Sequence, residues 1–141
     1  MKRLQSLRND TGGSVAIEFA VLAPVLVAML MGVLQIGLAM QNYNALRSVA
    51  AEASRYAVVQ RQRSATLATS SVETQARSIA IAAPYGLKTA RLTVNCVNAA
   101  TQRVAGATEM TLTLTYSVPT FLGFIGIGQI PLSYSRPIFV V

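Results

Sequence analysis

The chain of 141 residues has no histidine, a single cysteine (Cys96) and only five acids: Asp10, Glu18, Glu52, Glu73 and Glu109. Without an imidazole there is no His general base, no Ser/His triad and no Cys/His zinc site, and one cysteine cannot close an intrachain disulfide. Charge is also scarce. Charged residues make up 12% and hydrophobic residues 52%, against roughly 25% charged in ordinary soluble domains, which excludes a disordered or fully solvated chain. Part of this sequence must meet lipid or a partner. A small membrane-bound enzyme would need a catalytic set drawn from Glu73, Glu109, the tyrosines or Cys96, and no two acids share a local motif, so enzymatic activity is not expected. No metal or cofactor is implied. The net charge of +7 includes nine basic residues beyond residue 40, but they are dispersed. Nucleic-acid binding needs a basic stripe with interleaved aromatics, and none is expected here.

What the chain does have is one long apolar run. Phe19 to Met40 reads FAVLAPVLVAMLMGVLQIGLAM, 22 residues with no charge and one side-chain amide, Gln35. As a helix it is about 33 Å long, enough to cross a hydrocarbon core of about 30 Å. A removable secretory signal has a shorter apolar core of about 7 to 15 residues and ends at a small-x-small site. This run is longer and lacks such an ending, so a retained anchor is expected. Lys2, Arg3 and Arg8 precede the run, while Arg47 and Arg55, offset by Glu52, follow it. That bias predicts a cytoplasmic N-terminal tail and a translocated C-terminal part.

Immediately before the run stands Asp10-Thr11-Gly12-Gly13-Ser14-Val15-Ala16-Ile17-Glu18-Phe19. A basic leader ends in glycine, and a carboxylate followed by an aromatic appears five residues later. Residue by residue, Gly12-Gly13 also fits a plain turn and Glu18 also complements the positive end of a helix dipole. An acid at the bilayer edge is nevertheless costly and marks a functional site by default. Together these residues resemble the prepilin processing site of the tight-adherence (Tad) branch of type IV pilins. The continuation Ala20-Val21-Leu22-Ala23-Pro24-Val25-Leu26 resembles the TadE family of minor pseudopilins. The resemblance is close over residues 12 to 40 and loose beyond. Position one of the mature chain is Ser14 rather than the Phe of many type IV pilins. Position six is Phe19 where the major Tad pilin has Tyr, which points to a minor pseudopilin.

Within the run, Ala16, Ala20 and Ala23 form a small-residue face suited to close helix approach. Pro24 removes the hydrogen bond to the Ala20 carbonyl, which predicts a kink or local unwinding there. Gln35 is expected to face protein. From Gln41 to Arg63 the apolar positions Leu46, Val49, Ala53, Tyr56 and Ala57 repeat at three and four, with arginines on other faces. One helix beginning near Ser14 is therefore expected to continue out of the membrane. Residues 64–71 read as a loop. Ser70-x-x-Glu73 fits a capping box that opens a second helix through Ala82, burying Val72, Ala76, Ile79 and Ala83 before Pro84 and Gly86 stop it.

The remainder alternates with period two. Leu92, Val94 and Cys96 predict one strand, Met110 to Val118 a second, and Ile130 to Val141 a third that is limited by Pro131 and Pro137. Asn98 to Ala107 is the expected hairpin connection, and Cys96 is expected to be a small buried hydrophobe. The apolar loop Pro119–Gln129, with Phe121, Leu122, Phe124, Ile125 and Ile127, lacks the spacing of a phosphate loop and is expected to pack over the sheet.

These readings combine into an α+β, pilin-like architecture. Its parts are a basic leader (1–13), a transmembrane segment (14–40), an amphipathic continuation of the same helix (41–63) and a small periplasmic head (64–141). The resemblance implies a minor pseudopilin in the bacterial inner membrane, cut between Gly13 and Ser14 by a prepilin peptidase. It also implies that Glu18 and Phe19 serve assembly with other Tad pseudopilins and the pilus machinery, in the fibre or at its base. An unprocessed bitopic scaffold of a secretion complex is the alternative.

Overall fold

The computed structural model describes residues 12–64, 66–121, 123, 126 and 128–141. The expected leader up to Thr11, and Leu122, Phe124, Ile125 and Ile127 of the apolar loop, lie outside the described residues. Two helices, α1 (Gly12–Arg63) and α2 (Thr69–Ile81), precede a 3-10 turn (Thr89–Arg91). Strands β1 (Leu92–Asn98), β2 (Thr108–Pro119) and β3 (Gln129–Val140) follow. The strands form one antiparallel sheet in the order β1-β2-β3. A long N-terminal apolar helix, a second helix and an antiparallel sheet make the α+β, pilin-like layout that the sequence predicts.

The chain divides into two compact units, one ending at Ile36 and the other spanning Gly37–Val141. In the first, α1 is built of Ala, Leu, Met and Val, and its α-helix continues across Pro24 without interruption. The local unwinding expected there does not occur. Gly12 and Gly13 are helical.

In the second unit α1 contributes Leu46, Val49, Ala50, Ala53 and Ala57 to the core, all fully buried. Their three-and-four spacing draws one stripe along the helix, and the alanines let neighbouring elements approach closely. Tyr56, expected on that stripe, is only half-buried. Ser54 lies among these residues and satisfies its hydroxyl by donating to the Ala50 carbonyl at 2.6 Å. From α2 come Val72, Ala76 and Ala80. The buried stripe follows an i+4 row, so Ile79 is only partly buried. The helix stops at Ile81, one residue earlier than expected, and Ala83 beyond it is exposed. The cap differs too. Ala68 stands at the N-cap with no side-chain hydrogen bond, and Glu73 turns away from the helix start to accept the Cys96 N–H at 2.7 Å.

The sheet supplies the other half of the core, through Leu92, Val94 and Cys96 of β1, Met110 to Val118 at alternate positions of β2, and Ile138 and Val140 of β3. The register pairs Cys96 with Leu112 and Leu112 with Arg136. Alternation keeps the even-numbered side chains inside and leaves Thr111, Thr113, Thr115 and Ser117 on the other face.

Both sheet edges carry features that hinder further strand pairing. On β1 the outward-facing Cys96 N–H is taken by Glu73, and the Leu92 carbonyl accepts from Arg77 Nη1 at 3.4 Å. Glu73 and Arg77 stand one turn apart on α2, so a single helix face covers this edge. On β3, Pro131 and Pro137 pair with Ser117 and Thr111, and their odd register places the missing N–H groups on the side away from β2. A proline there costs the ladder nothing and denies a foreign strand its donors.

Candidate functional site

The residues singled out in the sequence all lie on the first two turns of α1 or shortly after. From Val15 to Met40 the large apolar side chains are exposed, with Phe19 at 69% and Val33 at 68%. The most apolar stretch of the helix buries none of its residues. A soluble core helix would hide such a face. This one is long and apolar enough to cross a membrane, and the exposed surface is what a bilayer or neighbouring helices must cover. Gln35 is the exception at 2% exposure, in keeping with its expected place away from lipid.

Glu18 projects from the second turn of α1 and is exposed. The other acids of the described chain are engaged. Glu52 Oε1 accepts from the Tyr85 hydroxyl at 2.6 Å, and this bond raises the pKa of that phenol above its usual value. Glu73 caps β1. Glu109 is 3% exposed and closes the β1–β2 hairpin. Its carboxylate accepts from Arg103 Nε at 2.8 Å and from the Arg103 backbone N–H at 3.2 Å. Arg103 Nη2 completes the ion pair, and its guanidinium lies 5.2 Å from the centre of the Phe139 ring. The side-chain hydrogen bond from Arg103 holds Glu109 below the usual carboxylate range. Glu18 alone of these four acids has no hydrogen-bond or ion-pair partner among the described residues.

Gly13 is exposed, and a Cβ built there meets nothing within 4 Å, so the fold itself does not require glycine. Ser14 follows in the same helical turn, about 6 Å along the axis from Glu18. At about 100° per residue, the Ala16, Ala20 and Ala23 stripe lies on the side of the helix opposite Glu18. The helix thus offers one face for close approach and another bearing a charge. Phe19 and Pro24 are exposed beside them.

Elsewhere, Cys96 is 3% exposed. Burial, and then the Glu73 carboxylate, push its thiol up to about 11, so it stays protonated and unreactive at neutral pH. Phe121 is 58% exposed, so the expected packing of the apolar loop does not extend to that residue. No group of three His, Cys, Asp or Glu side chains suited to a metal is present among the described residues. Sequence reasoning did not find the Glu109–Arg103 closure, whose only trace is an acid amid the polar-face threonines of β2.

No curated protein and no solved structure matches the chain. A family model described as TadE-like protein matches residues 13–55. The matched segment opens on Gly13, takes in Glu18, Phe19, Pro24 and the whole apolar run, and ends among the core residues of the second half of α1. Over these residues the chain is similar to TadE-like protein.

Proposed function

We propose that the chain is a minor pseudopilin of a Tad-type adhesive pilus, held in the inner membrane by the first half of α1. A prepilin peptidase cleaves it between Gly13 and Ser14, and it then acts in assembly or initiation of the pilus. The reading rests above all on Glu18, an acid without a described partner in an uncovered apolar helix, within a segment that matches the TadE-like family. Cleavage creates an ammonium group at Ser14. That group on a neighbouring subunit supplies the charge that Glu18 lacks and sets the axial register between helices, while Phe19 packs beside the pair. The alanine stripe opposite accepts a second neighbour. The basic residues Lys2, Arg3 and Arg8 keep the leader in the cytoplasm, where the peptidase meets it, and the head is periplasmic.

Intact-mass measurement on membrane-extracted protein, with and without the peptidase, tests this. The expected product begins at Ser14 and has 128 residues, 13 fewer than the full 141. Gly13→Leu is expected to block cleavage while still inserting, because the fold has room for the side chain. Full-length mass in both samples overturns the proposal and leaves an unprocessed bitopic scaffold.

A further inference from the structure

A groove runs along the second half of α1 where β3 flanks it. Two adjoining concavities of about 380 and 610 Å³ share Ala51 and Arg136 in their walls. Arg47 lines the first and Arg55 the second, with Val58 and Val59 as an apolar strip beside them. The two valines are 38% and 51% exposed. No acid lines either concavity, and none of the three arginines forms an ion pair with a described residue. The acids of the same unit are committed elsewhere: Glu52 to Tyr85, Glu73 to β1 and Glu109 to Arg103. The groove therefore carries three arginines that form no ion pair with a described acid of this unit.

Its dimensions and chemistry restrict the occupant. Arg47 and Arg55 are two helical turns apart, about 12 Å, and the lining from Asn44 to Val59 extends about 22 Å. A single phosphate or headgroup engages one arginine pair and leaves the rest empty, whereas a helical or extended peptide segment spans the whole length. The apolar strip calls for an amphipathic segment. A second copy of this chain is a poor occupant, because beyond residue 40 it carries nine basic residues against three acids and would repel a basic groove.

We propose that this groove seats an acidic amphipathic segment of another subunit of the pilus assembly. Carboxylates about two turns apart meet Arg47 and Arg55, a further one meets Arg136, and the apolar side of the segment lies on Ala51, Val58 and Val59. The inference rests on the assembly role proposed above and adds the chemistry of the partner. Charge complementarity of this kind supplies orientation and specificity more than raw affinity.

The test is a photo-crosslinking amino acid at Val59 of the full-length chain in native membranes that contain the pilus machinery, with the adduct sequenced. The expected adduct is a segment of another pilus subunit rich in Asp or Glu. Its yield is expected to fall about five-fold or more in Arg55→Glu and in Arg136→Glu, to survive in Arg55→Lys, and to recover when an acid of the crosslinked segment is changed to Lys. Membrane insertion and protease resistance of each variant are measured alongside, so that loss of folding is not read as loss of docking. An adduct with phospholipid, an adduct with a second copy of this chain, a yield indifferent to charge reversal, or no adduct overturns the inference. A second crosslinker at Phe19, together with the mass of the processed chain, separates the two proposals. If processing and the Phe19 adduct persist, only the groove has failed; if both are absent, the assembly reading fails with it.

Discussion

Glu18 and Glu109 illustrate how far the surroundings of a carboxylate set its role. Glu109 has its partner in the same hairpin, so its contribution is structural and its pH dependence follows from the lowered pKa. A carboxyl whose folded pKa is depressed stabilises the fold fully above its unfolded value, near 4.5, and loses that contribution as pH falls through the folded value. The thermal midpoint of the wild type is therefore expected to exceed that of Glu109→Gln at pH 7, with the difference shrinking as the pH is lowered through the carboxylate range. A difference that is constant with pH contradicts the assignment. Glu18 has no such partner within the described chain. If a neighbour's new amine supplies it, Glu18→Ala is expected still to insert and still to be cleaved, because the proposed processing site centres on Gly13. Its crosslinking to partner pseudopilins is expected to drop to about a tenth, the equivalent of roughly 1.4 kcal/mol. Glu18→Asp is expected to be intermediate, because the charge remains but the reach is shorter. Wild-type crosslinking and adherence in Glu18→Ala argue against the pairing.

At the scale of elements, the sheet was legible because its alternation is strict. Leu112, Leu114 and Tyr116 face the core while Thr111, Thr113 and Thr115 face out, and the third strand was legible despite its two prolines, which the structure places on the edge. The amphipathic half of α1 was equally plain from its three-and-four spacing. The start of α2 was not. Ser70-x-x-Glu73 has the spacing of a capping box, but a tertiary contact outbids the local one, and Glu73 reaches the β1 edge instead of the helix start. Nothing local encodes that choice, since Cys96 lies on another element far along the chain. For the same reason the arginine groove escaped the sequence, with Arg136 meeting Arg47 and Arg55 only after the sheet has formed. The two accounts of Glu73 predict different variants. Glu73→Ala strips the partner from a buried backbone N–H and is expected to cost about 1–3 kcal/mol in denaturant unfolding. Ser70→Ala is expected to stay within about 0.5 kcal/mol, whereas a working capping box would cost about 1 kcal/mol at that residue. Equal, sizeable losses in both variants favour the box over the edge cap.

For the whole molecule, the guarded sheet edges and the uncovered apolar helix divide the labour. Glu73 and Arg77 on one side and Pro131 and Pro137 on the other hinder strand addition, which favours helix faces and the groove as routes to partners. The proposed assembly role places the head on the opposite side of the membrane from Lys2, Arg3 and Arg8. Thr101 is an exposed residue of the β1–β2 hairpin, and the native Cys96 is buried with its thiol raised to about 11. A maleimide that cannot cross the inner membrane is therefore expected to label Thr101→Cys in intact spheroplasts and to leave the wild-type chain unlabelled until it is unfolded. The wild type serves as the internal control, because its thiol reports folding of the head and not access to the compartment. Labelling of Thr101→Cys only after lysis, with the wild type still protected, means that the head is folded but cytoplasmic. That outcome inverts the topology and removes the head from any pilus on the outer side, whatever Glu18 does within the membrane.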